Sequence, residues 1–203
     1  MGQLNTFQRI RAMEAEKQSL FALYLCERML PNYEFFHQLT GFGELKPLRG
    51  ALNALWDRHA NPKHSKINAE RWQEKVDEVT PSEYGHDMLG VYPAMDACTA
   101  ISTLLQGVLD KDSKNFVDVA KVSQASVAKF IELNIADEVP AEQLREAVNQ
   151  HELYQYEVEM HQAMLNYLEA QPTVTKALVN QLKQMVADEG ISNIGLEVNQ
   201  SSD

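Results

Sequence analysis

The sequence predicts an all-α fold, a single helical domain over residues 1–203 with eight or nine helices and a short extended tail from 191 onward. Three observations predict it. Apolar residues recur three and four positions apart almost throughout. Alternating apolar and polar residues are missing until the last dozen positions. Of 203 residues, 44% are hydrophobic, enough to bury one substantial core.

The first helix covers about residues 5 to 15 and abuts a second at about 18 to 30. Pro31 is expected to end the second, because proline lacks the N–H that an interior turn needs yet suits the first turn of a new helix. That new helix carries Tyr33, Phe35, Phe36 and Leu39 and stops at Gly41, a residue suited to the left-handed cap position. A fourth, from about 45 to 59, sets Leu48, Leu52, Leu55 and Trp56 on one face, and a polar loop follows from His59 to Lys66. A short fifth helix follows Asn68. The segment Thr80 to Tyr92, with Pro81, Gly85 and Gly90, reads as a loop.

Pro93 then opens a helix of small residues, Ala94, Ala97, Cys98 and Ala100, followed by Ile101, Leu104, Leu105 and Val108. Small side chains permit close helix approach. After a turn from Asp110 to Lys114, Phe116, Val119, Ala120, Ser123, Val127 and Phe130 continue at helical spacing up to Pro140. Residues 141 to 170 read as one helix, and as the most enclosed, because Glu152, Gln155, Glu159, Gln162 and Asn166 leave only a narrow polar stripe. Pro172 breaks it. A last helix with Val174, Leu178, Leu182 and Met185 ends at Gly190, and Ile194, Leu196 and Val198 alternate with polar or small residues, as in a tail lying extended along the body. Residues 201 to 203 are expected to be disordered.

Composition narrows the function classes. Eighteen basic against 29 acidic residues give a net charge of -11, which opposes binding to a phosphate backbone and favours a partner with a basic surface. Cys26 and Cys98 are the only cysteines, too few for a disulfide framework or a Cys-rich metal site. Charges at Arg9, Arg11, Glu14, Glu16 and Lys17 interrupt any signal-peptide core, and no apolar stretch reaches 18 residues, so the expected location is the cytoplasm, away from the membrane. Oligomeric state is not legible.

The clearest departure from a plain amphipathic pattern is the adjacent pair Glu27 and Arg28 inside the apolar run from Ser19 to Leu30. At about 100° per residue Glu27 falls between Leu23 and Tyr24 on the face to be buried. A buried carboxylate needs a partner. As half of a buried ion pair with an arginine, Glu27 would cost about 3 to 5 kcal/mol if neutralised to glutamine. Glu157 and His161, four apart on one helix face, lie outside the polar stripe and are placed to pair. Asp96 sits in the first turn after Pro93, where the helix dipole favours a carboxylate. Glu27, Arg28, Asp96, Glu157 and His161 are the candidate internal polar site, with Glu27 and Asp96 forming a paired-carboxylate centre if the bundle brings them together.

Other patterns carry less. Glu34 with His37 and Glu83 with His86 match the Glu-x-x-His spacing of di-iron bundles, but the second lies in a Pro- and Gly-containing loop. His59 and His64 are expected to be solvated. Phosphate-binding glycine loops, a Gly-x-Ser-x-Gly elbow and a His-Glu-x-x-His motif are absent, so no catalytic residue, metal or cofactor is assigned.

Three segments, LCERMLPNY at 25–33, GVYPAMDAC at 90–98 and SNIG at 192–195, together resemble the YjaG-like family of uncharacterised bacterial proteins over nearly the whole chain. The resemblance implies a single all-helical cytosolic domain of gammaproteobacteria and their relatives. It brings no activity, cofactor or catalytic residue with it, and only a loose association with immunity proteins of toxin systems. The first expectation is a non-enzymatic interaction protein whose buried polar residues fix helix register. The rival is a small-molecule or metal-binding domain built around the internal polar site, and a third reading is an immunity-type protein that neutralises a basic toxin.

Overall fold

The apolar run of residues 18–30 has no polar side wide enough to face water, and it becomes the axis of the molecule. The computed structural model describes residues 4–84 and 90–197. Among them lie nine helices: α1 (Thr6–Ala12), α2 (Ala15–Thr40), α3 (Leu45–Ala60), α4 (Ala69–Val79), α5 (Val91–Asp110), α6 (Ser113–Ile135), α7 (Ala141–Gln150), α8 (Glu152–Glu169) and α9 (Lys176–Glu189). Every residue of α2 from Lys17 to Leu30 is buried. Helices α5 and α6 pack most extensively against it, and α3, α8 and α9 also contact it. The small residues Ala94, Ala97, Cys98 and Ala100 of α5 are all buried, as close approach requires.

One main core runs through α2, α3, α5, α6, α8 and α9, and a smaller cluster of Val127, Ile131, Val148 and Ile194 joins α6, α7 and the tail. Gly41 and Gly190, at φ 68° and 62°, cap α2 and α9 in the left-handed region, where a Cβ is disfavoured. No helix among the described residues is long and apolar enough to cross a membrane.

Two boundaries differ from the sequence expectation. Pro31 does not end a helix: α2 passes through it for 26 residues. A proline inside a helix costs about 3 kcal/mol, and the burial of Asn32, Tyr33 and Phe36 beyond it holds the last turns in place. Tertiary packing overrides propensity there. Conversely, residues 141–170 form two helices, because His151 adopts an extended backbone (φ -66°, ψ 134°) and its Nδ1 accepts from the Leu153 N–H at 3.2 Å. Nor is this the most enclosed stretch. Only Val148 is buried in α7, and α8 buries one face while Tyr156 remains 44% exposed.

Of the aromatic segment after Pro31, Tyr33 and Phe36 enter the core and Phe35 stays at the surface. The tail lies against the body and folds back on itself. An antiparallel bridge joins Ile191 to Glu197, Ser192 N donates to Leu196 O at 2.8 Å, and Ser192, Asn193 and Ile194 are buried. The expectations for Val198 and for residues 201 to 203 lie outside the described residues.

Candidate functional site

Glu157 has no exposed surface, and both its oxygens are engaged. Arg28 Nη1 lies 2.5 Å from Oε2, while Oε1 accepts from Ser123 Oγ at 2.5 Å and from His161 Nε2 at 2.8 Å. The helical repeat stacks His161 one turn beyond Glu157, and α2 and α6 supply the other partners. Gln124 Nε2 is 3.2 Å from His161 Nδ1; an amide nitrogen donates, so Nδ1 accepts and Nε2 carries the proton given to Glu157. The edge of Phe21 closes over the imidazole, with ring centroids 5.6 Å apart.

Arg28 stands between two carboxylates along a chain of contacts. Arg28 Nε donates to Glu189 Oε1 at 3.1 Å, and the Tyr24 and Tyr156 hydroxyls donate to the same carboxylate at 3.1 Å. Burial by itself would raise the Glu157 pKa, but His161, Arg28 and Ser123 together bring it down to about 2. Burial likewise disfavours the Arg28 cation, and Glu157 and Glu189 more than restore it, so its pKa lies above the usual value. This is an ionic network inside the bundle, bonded through Arg28 Nη1 and Nε, while the buried Arg28 Nη2 has no hydrogen-bond partner among the described residues.

Glu27 and Arg28 do not pair with each other. One residue is a turn of about 100°, and it points Glu27 toward α3 instead. There Arg49 Nη1 donates to both its oxygens at 2.8 and 2.9 Å, and Trp56 Nε1 donates at 2.7 Å. The arginine is 40% exposed and the glutamate 8%. Asp96 is half-buried on α5; burial raises its pKa and Ser126 of α6 offsets part of that rise. Of the five candidate residues the fold joins Arg28, Glu157 and His161, while Glu27 is bonded by Arg49 and Trp56 of α3 and Asp96 faces Ser126 of α6, so the two carboxylates make no paired centre. Among the described residues no three His, Cys, Asp or Glu side chains are grouped so as to hold a metal ion. His86 of the second Glu-x-x-His match lies outside the described residues.

Sequence reasoning missed several partners. Ser123 sits in an apolar stripe, where its small size disguised it, and Glu189 is the second of two adjacent acids at a helix end, Asp188 and Glu189. His59 is buried, 4% exposed, and not solvated as expected; its Nε2 lies 3.0 Å from Ser19 Oγ. Burial first, then the Arg58 charge, lowers its pKa to about 4. His64 is exposed, as expected.

Asn193 is also buried, and it binds three groups. Its N–H donates to Arg28 O at 3.2 Å, its Nδ2 to Ser123 O at 3.3 Å, and its Oδ1 accepts from Asn32 Nδ2 at 2.8 Å. The tail therefore clamps the two helices that hold Glu157. A family model described as a protein of unknown function (DUF416) matches residues 5–197. The chain belongs to the DUF416 family. An uncharacterised protein YjaG of Escherichia coli K12 is 33% identical over 189 residues, 93% of this chain and 94% of that one. An uncharacterised protein of Haemophilus influenzae is 29% identical over 195 residues, covering 95% and 97% of the two chains. Among solved structures, a DUF416 family protein from Shewanella baltica OS155 superposes with a TM-score of 0.90 at 36% identity, over 97% of this chain and all of that one. In the DUF416 chain described here, two of the three resembling segments, 25–33 and 192–195, meet through Asn193.

Proposed function

We propose that the protein is a cytoplasmic, non-enzymatic interaction module that binds a partner with a basic surface. The observation that carries this reading is a groove between α6 and α7. It measures about 340 Å3, and Ala128, Leu144 and Val148 supply its apolar part. Glu132, Asp137, Glu138, Glu142 and Glu146 lie on the same stretch of chain and outnumber Lys129 and Arg145. The lining itself holds one acid, Glu132, and one base, Arg145, and the acidic excess lies on the chain beside it; an apolar floor flanked by a net negative stretch suits an amphipathic segment of opposite charge, with the charges steering encounter and the apolar contact holding it. The net charge of -11 extends the same field over the molecule. A basic toxin is one partner of this chemistry.

The occupied carboxylate of Glu157 also supports a binding role over a catalytic one. Its carboxylate oxygens are already occupied by structural donors, which leaves the buried ions the task of fixing helix register. The test is affinity capture at low and high salt with the full chain and with a variant carrying Glu138→Lys, Glu142→Lys and Glu146→Lys. A Lys- and Arg-rich partner retained at low salt, released at high salt and lost from the variant is the expected result. Unchanged capture by the folded variant would defeat this reading.

A further inference from the structure

A second cleft, of about 370 Å3, opens where the first turn of α2 meets the ends of α3 and α5 and the start of α6. Its apolar part comes from Ala15, Pro62, Val108 and Phe116, and Phe116 reaches it because a Cβ at Gly107 would lie 2.6 Å from that ring. Its polar part is Glu16, Arg58, Lys111 and the Ser19–His59 pair. No salt bridge engages Arg58, Lys111 or Glu16 among the described residues.

We propose that this cleft binds a small carboxylate with an apolar body. The buried His59 uses Nε2 on Ser19 and has no partner for Nδ1 among the described residues. If Ser19 donates to Nε2, the ring carries its proton on Nδ1 and presents a donor to the cleft. Arg58 supplies the planar fork that matches a carboxylate. Glu14, at the N-cap of α2, makes no side-chain capping bond, so the first N–H groups of α2, at Ala15 and Glu16 beside the cleft, add to the anion-favouring field. The carbonyl ends of α3 and α5 oppose it, and the two cations lie against them: Arg58 in the last turn of α3, Lys111 as the left-handed cap of α5 at φ 55°.

Catalysis by Ser19 and His59 fits less well than recognition. A triad's base is helped toward imidazolium by a carboxylate, whereas the charge acting on His59 is Arg58, which with burial keeps the ring neutral. Glu16 is the one anion of the lining. It suits a ligand whose carboxylate is accompanied by an ammonium group, as in a free amino acid.

The test uses three probes of one shape: 4-methylpentanoate, leucine and 4-methylpentan-1-ol, titrated into the full chain by calorimetry and by amide chemical-shift mapping. Saturable binding of either carboxylate, with shifts at Ser19, His59 and Val108 and affinity at least about tenfold above the alcohol, is expected, since a charge-assisted hydrogen bond is worth that much. Leucine binding more tightly assigns the ammonium to Glu16; tighter 4-methylpentanoate binding makes the ligand a simple acid. Arg58→Ala, which breaks no ion pair and removes only a last-turn cation of α3, should weaken binding by about tenfold in a chain that still folds, and His59→Gln should weaken it further. No saturable binding of either carboxylate, equal affinity for the alcohol, or full affinity in folded Arg58→Ala would overturn the proposal.

Discussion

Glu27 and Glu157 are both buried carboxylates bonded to arginines, yet their surroundings assign them different weights. Glu157→Gln strands Arg28, whose side chain has no exposed surface, with Glu189 as its remaining counter-charge, so urea unfolding should register a loss of about 3 to 5 kcal/mol. Pairing it with Arg28→Met removes both buried ions. The double variant should then be more stable than the sum of the single losses predicts, and strict additivity would show that the two groups do not interact. Glu27→Gln should cost only about 1 to 2 kcal/mol, because Arg49 is 40% exposed and returns to water while the amide oxygen still accepts from Trp56. The larger sequence-based figure assumed a wholly buried arginine. Periodicity shows that Glu27 faces inward; it carries no information on which arginine answers it.

At the scale of elements, the tail is the piece whose importance most exceeds its length. Asn193→Ala would leave Asn32 Nδ2 and Ser123 O without the partner they have now, an expected loss of about 2 to 3 kcal/mol. Amide exchange should accelerate across residues 191–197 ahead of α2. Uniform acceleration over the whole chain would mean that the tail does not open separately. The helices α3, α4, α5, α6 and α9 were legible from apolar spacing and from breakers such as Gly190. Two boundaries were not. Pro31 is a local signal overruled by the burial of Asn32, Tyr33 and Phe36 beyond it, and the break at His151 carries no proline or glycine to announce it.

Across the whole molecule, pH acts through two groups of the same sign. The His59 pKa falls from 6.5 to about 4 on folding, so the unfolded chain binds the extra proton and stability declines as pH drops from about 6.5 to 4. Glu157 falls from 4.5 to about 2; its contribution is intact above 4.5 and is lost as pH falls toward 2. Asp96 and Glu34, raised by burial, act in the opposite direction near the carboxylate range. Urea unfolding at pH 7, 5.5 and 4 should therefore show a decline that begins above the carboxylate range, and His59→Gln should flatten it; an unchanged slope would remove His59 from the account. The sequence by itself determined the all-α class, the inward-facing positions of Glu27, Glu157 and His161, and the acidic charge, because these follow from local periodicity and composition. Tertiary structure alone decided that Arg28 answers Glu157 and not Glu27, that His59 is buried beside Ser19, and that the tail locks α2 to α6. Each joins residues far apart in the chain, and such pairings are set by how whole helices pack against one another.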